Sequence, residues 1–269
     1  MTSQEFQDIV WQYGRELYRD MPWRDAPLPY YVWVSELMLQ QTQVARVIPK
    51  FNLFIARFPT VRELAAAPLA DVLIVWNGLG YNRRAKYLWE AAQVIMENFQ
   101  GELPSTHEAL LSLPGIGPNT AAAICNYAYQ VPQPFIETNI RTVYFHHWYD
   151  EMALVSDKEL LVVVAETMDR EQPREWFWAL MDYGSYLKKT QGGRLNQSIH
   201  YKKQSPLKGS VREMRGQVIR QLAISEQNDE DLRRNVVADE RYDPALRDLQ
   251  REGLIIFSAG RWRLAEYKG

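Results

Sequence analysis

Between Leu113 and Ile124 the chain reads LPGIGPNTAAAI, and 20 residues beyond Gly117, the second glycine of that run, stands an acidic residue, Glu137, in PFIETNIRTV. A Pro-Gly-x-Gly turn between two helices aims backbone N–H groups outward, and such a nest favours a phosphate oxygen. A carboxylate held at a fixed distance beyond the nest is placed to act on the sugar attached to that phosphate. Taken alone, the turn fits an ordinary helix end equally well, and Glu137 fits the cap of the helix TNIRTVYF that follows it. A second acid, Glu36, lies in SELML. Its apolar neighbours would desolvate it and raise its pKa, the condition of a carboxyl that keeps a proton and can donate it. The alternative for Glu36 is a helix-surface glutamate that caps or pairs.

The elements that must position these groups are helices. Apolar residues at helical spacing run through EFQDIVWQYGRELYRDM, VWVSELMLQQTQVARVIPKFNLFIARF, ADVLIVWNGLG, RRAKYLWEAAQVIMENF, NTAAAICNYAY, ELLVVVAETM and REWFWALMDYGSYL. Their ends are marked by Pro59, Pro68, Gly78, Gly80, Gly101, Pro104, Pro114 and Pro132, as helix starts and stops require. No period-two strand interrupts them, so residues 1–190 read as an all-α domain. The apolar pattern fades in TQGGRLNQSIHYKKQSPLKGS, and residues 191–209 read as a basic linker. Beyond it, VREMRGQVIRQLAI, DEDLRRNVVAD and DPALRDLQREG give three short helices, and LIIFSAGRWRLA gives a two-stranded hairpin. Residues 210–269 therefore resemble a small winged-helix (α+β) domain. The third helix of such a module often enters the major groove, and Arg241, Arg247 and Arg251 fit DNA contact there; docking or simple packing fits the module too.

The 269 residues are 46% hydrophobic and 24% charged, the composition of a soluble globular protein long enough for a main domain and a smaller one. MTSQEFQDIV has no basic start followed by an apolar run, and no stretch reaches membrane-spanning length, so a cytoplasmic protein is expected. The net charge of −2 is unevenly spread: Lys188 to Arg220 holds nine basic residues against one acidic, Glu213. A positive strip on an acidic body suits a polyanion that touches one face, or else is a solvated linker. Cys125 is the only cysteine, which excludes an internal disulfide and any centre built on several thiolates. Set in AAAICNYAY, it reads as buried and structural. His146 and His147 lack acidic or cysteine partners at metal spacing and also read as structural.

PWR at 22–24, SELMLQQTQV, WNGLGYNRRAKYL, LPGIGPNT and ETNI follow one another in an order that resembles the helix-hairpin-helix DNA glycosylases, the superfamily of endonuclease III and the MutY adenine glycosylases, over residues 10–187. The resemblance implies a two-lobed, all-α glycosylase fold. It also implies the chemistry of breaking a base from deoxyribose. That reaction passes through an oxocarbenium-like cation, so it needs an acid for the departing base and a carboxylate beside the developing charge. Glu36 matches the family's acid, which protonates the purine imidazole nitrogen. Glu137 stands where the family usually has aspartate. The extra methylene moves the carboxylate by about 1 Å, worth on the order of a hundredfold in rate if the pocket is unchanged. Asn139 matches a supporting polar residue of the pocket. Asn119 stands where bifunctional relatives carry a Schiff-base lysine, which implies a monofunctional enzyme.

Tyr81, Gln40 and Gln41 resemble the residues that wedge into the duplex when a nucleotide is flipped out, although Tyr81 in its GLGY turn also fits simple packing. Trp23 and Arg24 look like pocket-lining residues, with a core aromatic and a surface ion pair as the alternative. Gly115, Gly117, Asn119 and Thr120 of the hairpin, with Lys188, Lys189, Lys202 and Lys203, are the implied contacts to the DNA backbone. The carbonyls near Leu113 and Ile116 are the implied seat of a structural sodium or potassium ion. The chain departs from the family in three places. It lacks the four cysteines that hold an iron-sulfur cluster after the glycosylase domain, Trp178 replaces a polar residue that faces adenine in MutY enzymes, and the C-terminal domain that recognises 8-oxoguanine is replaced by the winged-helix-like module. The expectation is a cluster-free, nucleoid-associated monomer that binds mismatched or damaged duplex DNA and removes adenine opposite guanine or 8-oxoguanine. Thymine or uracil opposite guanine is the alternative substrate, and a catalytically silent mismatch or lesion binder is the alternative class.

Overall fold

The computed structural model describes residues 1–149, 153–199 and 206–266. Among them the order is α1 (Ser3–Glu16), α2 (Pro22–Asp25), α3 (Pro29–Leu39), α4 (Val44–Arg57), α5 (Val61–Ala66), α6 (Leu69–Trp76), α7 (Arg83–Asn98), α8 (His107–Leu111), α9 (Pro118–Tyr129) and α10 (Thr138–His147). Then come α11 (Asp157–Thr167), α12 (Pro173–Thr190), α13 (Val211–Leu222), α14 (Asp229–Val236), α15 (Tyr242–Arg251), β1 (Ile255–Ser258) and β2 (Arg261–Leu264). The mostly helical architecture with a small C-terminal sheet is the one the sequence implies.

Two compact units form. The first takes Met1–Glu36, Ser105–Ser112 and Ile116–Lys203. Its centre is the packing of α1 and α10 on α12, where Phe6, Tyr144 and Trp176 are fully buried and the Phe6 ring lies 4.8 Å from Tyr144 and 6.1 Å from Trp176. Each large side chain removed from water here contributes about 1.5–3 kcal/mol. The helices α10 and α12 approach so closely at Gly184 that a Cβ there would lie 2.1 Å from the Asn139 carbonyl oxygen. Only glycine permits this crossing.

The second unit takes Leu37–Pro104, Leu113–Gly115 and Gln204–Gly269. Phe54, Leu64, Leu73, Trp76 and Leu88 form one part of its core, and Met214, Ile219, Leu232, Tyr242, Leu249 and Ile255 another. The hairpin β1–β2 pairs antiparallel from Ile255↔Leu264 to Ser258↔Arg261. Its two-residue turn has Ala259 at φ 51 and Gly260 at φ 76, the left-handed pair that matches the twist of the strands. Gln227 and Trp262 exchange backbone hydrogen bonds at 3.0 and 2.7 Å, which adds a third short segment to the wing.

One helix boundary differs from the sequence pattern. The sequence reads as one helical run from α3 into α4, yet the helix stops at Leu39 and a turn with Gln41 at φ 56 intervenes. The cause is Arg84, whose Nη1 donates to the carbonyls of Leu37, Met38 and Gln40 at 2.6, 3.1 and 2.6 Å. The carbonyls that a continuing helix would have bonded are satisfied by a guanidinium instead.

Candidate active site

Glu36 sits one turn from the end of α3, between the buried Ser35 and Leu37 and near the buried Trp33, Val34 and Met38. Its carboxyl is pushed up to about 8, first by burial and then by the negative charge of Glu137, with Arg24 opposing both. Burial also raises Glu137 above the ordinary carboxylate value, while the Thr138 backbone N–H and the Arg141 charge work against it. Two carboxyls that repel each other in a dehydrated site share protons unequally. At neutral pH Glu36 holds one.

The sequence places Glu137 through the extended segment 131–137. Asn126, fully buried in the apolar face of α9, donates to the Gln133 carbonyl at 2.7 Å and accepts from the Gln133 N–H at 3.2 Å. Farther along, Asn119 Nδ2 donates to the Ile136 carbonyl at 2.8 Å. Phe135 anchors the segment between these clasps, 4.6 Å from the Phe177 ring and 6.1 Å from Tyr127. Glu137 then occupies the N-cap position of α10 without a side-chain cap hydrogen bond. Its carboxylate meets the Thr138 backbone N–H, and Asn139 follows in the first turn, its backbone seated against Gly184.

An aromatic wall stands beside the acids. Arg24 is buried and grips the buried Asp182 with Nη1 at 2.6 Å and Nη2 at 3.1 Å, while Arg19 Nε reaches the same carboxylate at 2.6 Å. The Arg24 guanidinium lies 5.1 Å from the Trp178 ring and 5.3 Å from the Tyr18 ring. Trp178 in turn stacks on Tyr127 at 6.1 Å and 27°. Burial and the charge of Glu36 push the Tyr127 phenol far above its ordinary range, so it is a hydrogen-bond donor throughout the physiological range. Trp23 is buried at the start of α2. The unit thus brings Glu36, Glu137, Arg24 and Trp178 together with Tyr18, Tyr127 and Asp182, which sequence reasoning passed over. Tyr127 was hidden because an aromatic in AAAICNYAY reads as core. Asp182 did carry a signal, since a carboxylate on the apolar face of WFWALMDYG must find a cation.

The second unit gathers another set. Arg84 joins the Gln40 carbonyl to that of Gly80, the latter at 3.2 Å, and burial lowers its own pKa to about 10. This places the loop bearing Gln40 and Gln41 next to the loop bearing Tyr81. Both Gln41 and Tyr81 have left-handed backbones, at φ 56 and φ 49, where non-glycine residues are uncommon. In the hairpin, Gly115 at φ 77 lies so near Tyr87 that a Cβ would approach the Tyr87 Cβ to 2.6 Å. Leu113 of this unit has a buried side chain. In the first unit Gly117 is the N-cap of α9, Asn119 is exposed, Thr120 part-exposed, and the Ile116 side chain is buried.

Lys188 and Lys189 are exposed in the last turn of α12, whereas Lys202 and Lys203 lie outside the described residues. His146 Nδ1 donates to the Thr142 carbonyl at 2.8 Å and His147 Nε2 lies 2.6 Å from the Tyr183 hydroxyl. Two of the arginines expected at DNA are spent on neighbours: Arg241 pairs with Glu213 and Asp239, and Arg251 with Asp248.

A four-thiolate cluster does not fit a chain with one cysteine, and Cys125 is buried with its thiol pushed up to about 11 by desolvation. Among the described residues no three His, Cys, Asp or Glu side chains converge on a point. The segment after α12 is held by hydrogen bonds. The Val155 N–H donates to the Gln197 carbonyl at 2.9 Å, the Ile199 N–H to the Val155 carbonyl at 3.3 Å, and Arg194 Nη1 to the Phe145 carbonyl at 3.3 Å.

Residues 34–178 match the HhH-GPD superfamily of base excision DNA repair proteins. The adenine DNA glycosylase of Mycobacterium tuberculosis (strain ATCC 25618 / H37Rv) is 40% identical over 172 residues, 62% of this chain and 57% of that protein. That of Buchnera aphidicola subsp. Acyrthosiphon pisum (strain APS) is 37% identical over 162 residues, 60% of this chain and 46% of that one, and the human adenine DNA glycosylase is 34% identical over 187 residues, 68% and 34%. The chain spans about half the length of the first two of these curated relatives. Among solved structures, a thermostable thymine-DNA glycosylase superposes with a TM-score of 0.63 at 21% identity, covering 72% of this chain and 91% of that one. A trapped endonuclease III–DNA covalent intermediate gives 0.60 at 20%, covering 73% and 92%. These likenesses carry the fold. The chain belongs to the HhH-GPD superfamily of base excision DNA repair proteins. No helix among the described residues is long and apolar enough to cross a membrane.

Proposed function

We propose that the chain is a monofunctional, cluster-free DNA glycosylase that flips adenine, mispaired with guanine or 8-oxoguanine, out of the duplex and hydrolyses its glycosidic bond. The observation that carries this reading is the pair Glu36 and Glu137, one acid raised to about 8 and the other close enough to raise it. Glu36 donates its proton to a ring nitrogen of the departing base. The Glu137 carboxylate stabilises the positive charge that develops at the anomeric carbon until water adds there and gives up its proton to the Glu36 carboxylate left by the first step. Trp178, Trp23 and the Arg24–Asp182 pair line the pocket for the base, and Asn139 supports it. With an amide at Asn119 in place of an amine, the product is an abasic site without strand cleavage.

The relatives named adenine DNA glycosylase support adenine as the base. Gly115, Gly117, Asn119 and Thr120 present hairpin N–H and side-chain donors to the backbone, Lys188, Lys189, Lys202 and Lys203 add positive charge, and Gln40, Gln41 and Tyr81 enter the duplex. A monovalent cation on the Leu113 and Ile116 carbonyls belongs to the same reading. So do a monomer at the nucleoid and a division into a glycosylase domain at 1–190, a linker at 191–209 and a winged-helix-like module at 210–269.

Single-turnover base release from duplexes carrying A:G, A:8-oxoguanine, T:G and U:G pairs, with alkali added only afterwards, tests it. Release of adenine with strand scission only after alkali is the expected result. Release of thymine or uracil transfers the reading to a pyrimidine mismatch glycosylase, and tight binding without release from any duplex replaces it with a silent binder.

A further inference from the structure

Tyr81 is held by an arginine of the C-terminal module. Arg212, near the start of α13, donates from Nη1 to the Tyr81 hydroxyl at 2.6 Å, and its guanidinium lies 5.3 Å from the centroid of the Tyr81 ring. The Arg84 guanidinium lies at the same distance from that ring. A second tie anchors the module to the helix that follows Tyr81. Glu252, after α15, accepts from Arg83 Nη2 at 2.8 Å and Arg215 Nη1 at 2.9 Å, and its carbonyl accepts from Lys86 Nζ at 2.7 Å. The module itself is poorly suited to reading a polyanion, because residues 210–269 carry eleven basic and eleven acidic side chains and Arg215, Arg233, Arg234, Arg241 and Arg251 pair with acids. A ring whose hydroxyl is bonded and whose side is covered by a guanidinium cannot at the same time stack between base pairs.

We propose that Arg212 is a specificity-determining residue: it latches Tyr81 outside the duplex, so that insertion occurs only where a mispaired, weakly stacked site returns more than the latch costs. This rests on Tyr81 being the wedge of the proposed glycosylase. Every insertion exchanges the Arg212 contact for base stacking. A hydrogen bond with one charged partner resists insertion by on the order of tenfold. A mismatch lowers the unstacking cost and tolerates that factor; a paired site, already unfavourable, does not.

The test uses the full chain with Arg212→Ala and Arg212→Lys on duplexes carrying 2-aminopurine beside either an A:G or an A:T pair, with unstacking read by fluorescence at saturating protein. Arg212→Ala is expected to raise the insertion constant at the A:T duplex about tenfold, with Arg212→Lys between it and the parent. A fall at both duplexes overturns the latch in favour of a brace, and a uniform loss of affinity with a shallower salt dependence overturns it in favour of a plain phosphate contact. In parallel, 3-fluorotyrosine labelling, with the Tyr81 resonance assigned by Tyr81→Phe, reads the contact without DNA. That resonance should move in Arg212→Ala, and an unmoved resonance overturns the latch whatever the duplexes do. A parent that unstacks neither duplex overturns the wedge reading itself, and with it the latch, an outcome distinct from latch failure in an active parent.

Discussion

Replacing Glu36 with glutamine should remove a pH-dependent weakness from the fold. Its carboxyl has an ordinary value of 4.5 and is pushed up to about 8 in the folded chain, so between these pH values the native state keeps a proton that the unfolded state has released. The neutral carboxyl is tolerated and the charged one is not. Stability is therefore full below pH 4.5, falls as pH rises towards about 8, and levels above it. At about 1.4 kcal/mol per pH unit the interval corresponds to roughly 3–5 kcal/mol, the lower end allowing for the part-exposed side chain. Glutamine does not titrate, so the stability of Glu36→Gln relative to the parent should rise by that amount between acid and alkaline buffers. Urea unfolding followed by the fluorescence of the nine tryptophans, at fixed ionic strength across the range, measures the difference directly. A difference that stays flat within about 1 kcal/mol refutes the reasoning, because the native carboxyl would then ionise as it does in the unfolded chain. In the proposed reaction the same proton sets the rate, so base release should decline with an alkaline midpoint near 8. Because the role proposed for Glu137 needs its charged form and burial raises its pKa, the acidic limb should lie above the ordinary carboxylate range. Both limbs belong to the pair rather than to either residue.

Asp182→Asn leaves Arg24 buried without its carboxylate, which should cost about 3–5 kcal/mol in urea unfolding; a loss under about 1 kcal/mol would show that the pair is not held dry. Gly184→Ala forces a Cβ towards the Asn139 carbonyl oxygen, 2.1 Å away, and should lower stability by about 1–3 kcal/mol. Because that push displaces the first turn of α10, single-turnover release should fall further than duplex affinity does, and an unchanged rate would separate the helix crossing from the site. Glu137→Asp should act in opposite directions on the two properties. Aspartate is a good N-cap where glutamate makes no cap bond, adding about 0.5–1 kcal/mol, while withdrawal of the carboxylate by about 1 Å should slow release by up to a hundredfold. A faster variant would mean that the pocket is built for the shorter acid.

What could be read beforehand was what short stretches encode. Glu36 in SELML, Glu137 in ETNI and the glycines of LPGIG announce themselves because a desolvated acid, a helix start and a tight turn are each decided by a few neighbouring residues. Proline and glycine likewise mark most helix ends. The features that escaped are made by side chains far apart in the chain. The turn between α3 and α4 lies inside what reads as one helical run, and Arg84, more than 40 residues later, takes up the carbonyls of Leu37, Met38 and Gln40 there. Arg241 and Arg251, at the two ends of α15, invite assignment to DNA until their carboxylate partners are known, and those partners include Glu213, 28 residues from Arg241. Charge in a sequence therefore says little about what a surface binds before its internal pairs are removed. The buried pair is the instructive exception. An aspartate on the apolar face of a helix, as in WFWALMDYG, cannot be left alone, and the helix itself offers no cation near enough. The requirement for a partner could be written from the sequence, although the choice of Arg24 could not. That choice is what places a guanidinium beside both Tyr18 and Trp178 and near enough to Glu36 to temper its pKa, so one long-range ion pair shapes both the aromatic wall beside Glu36 and the proton of that acid.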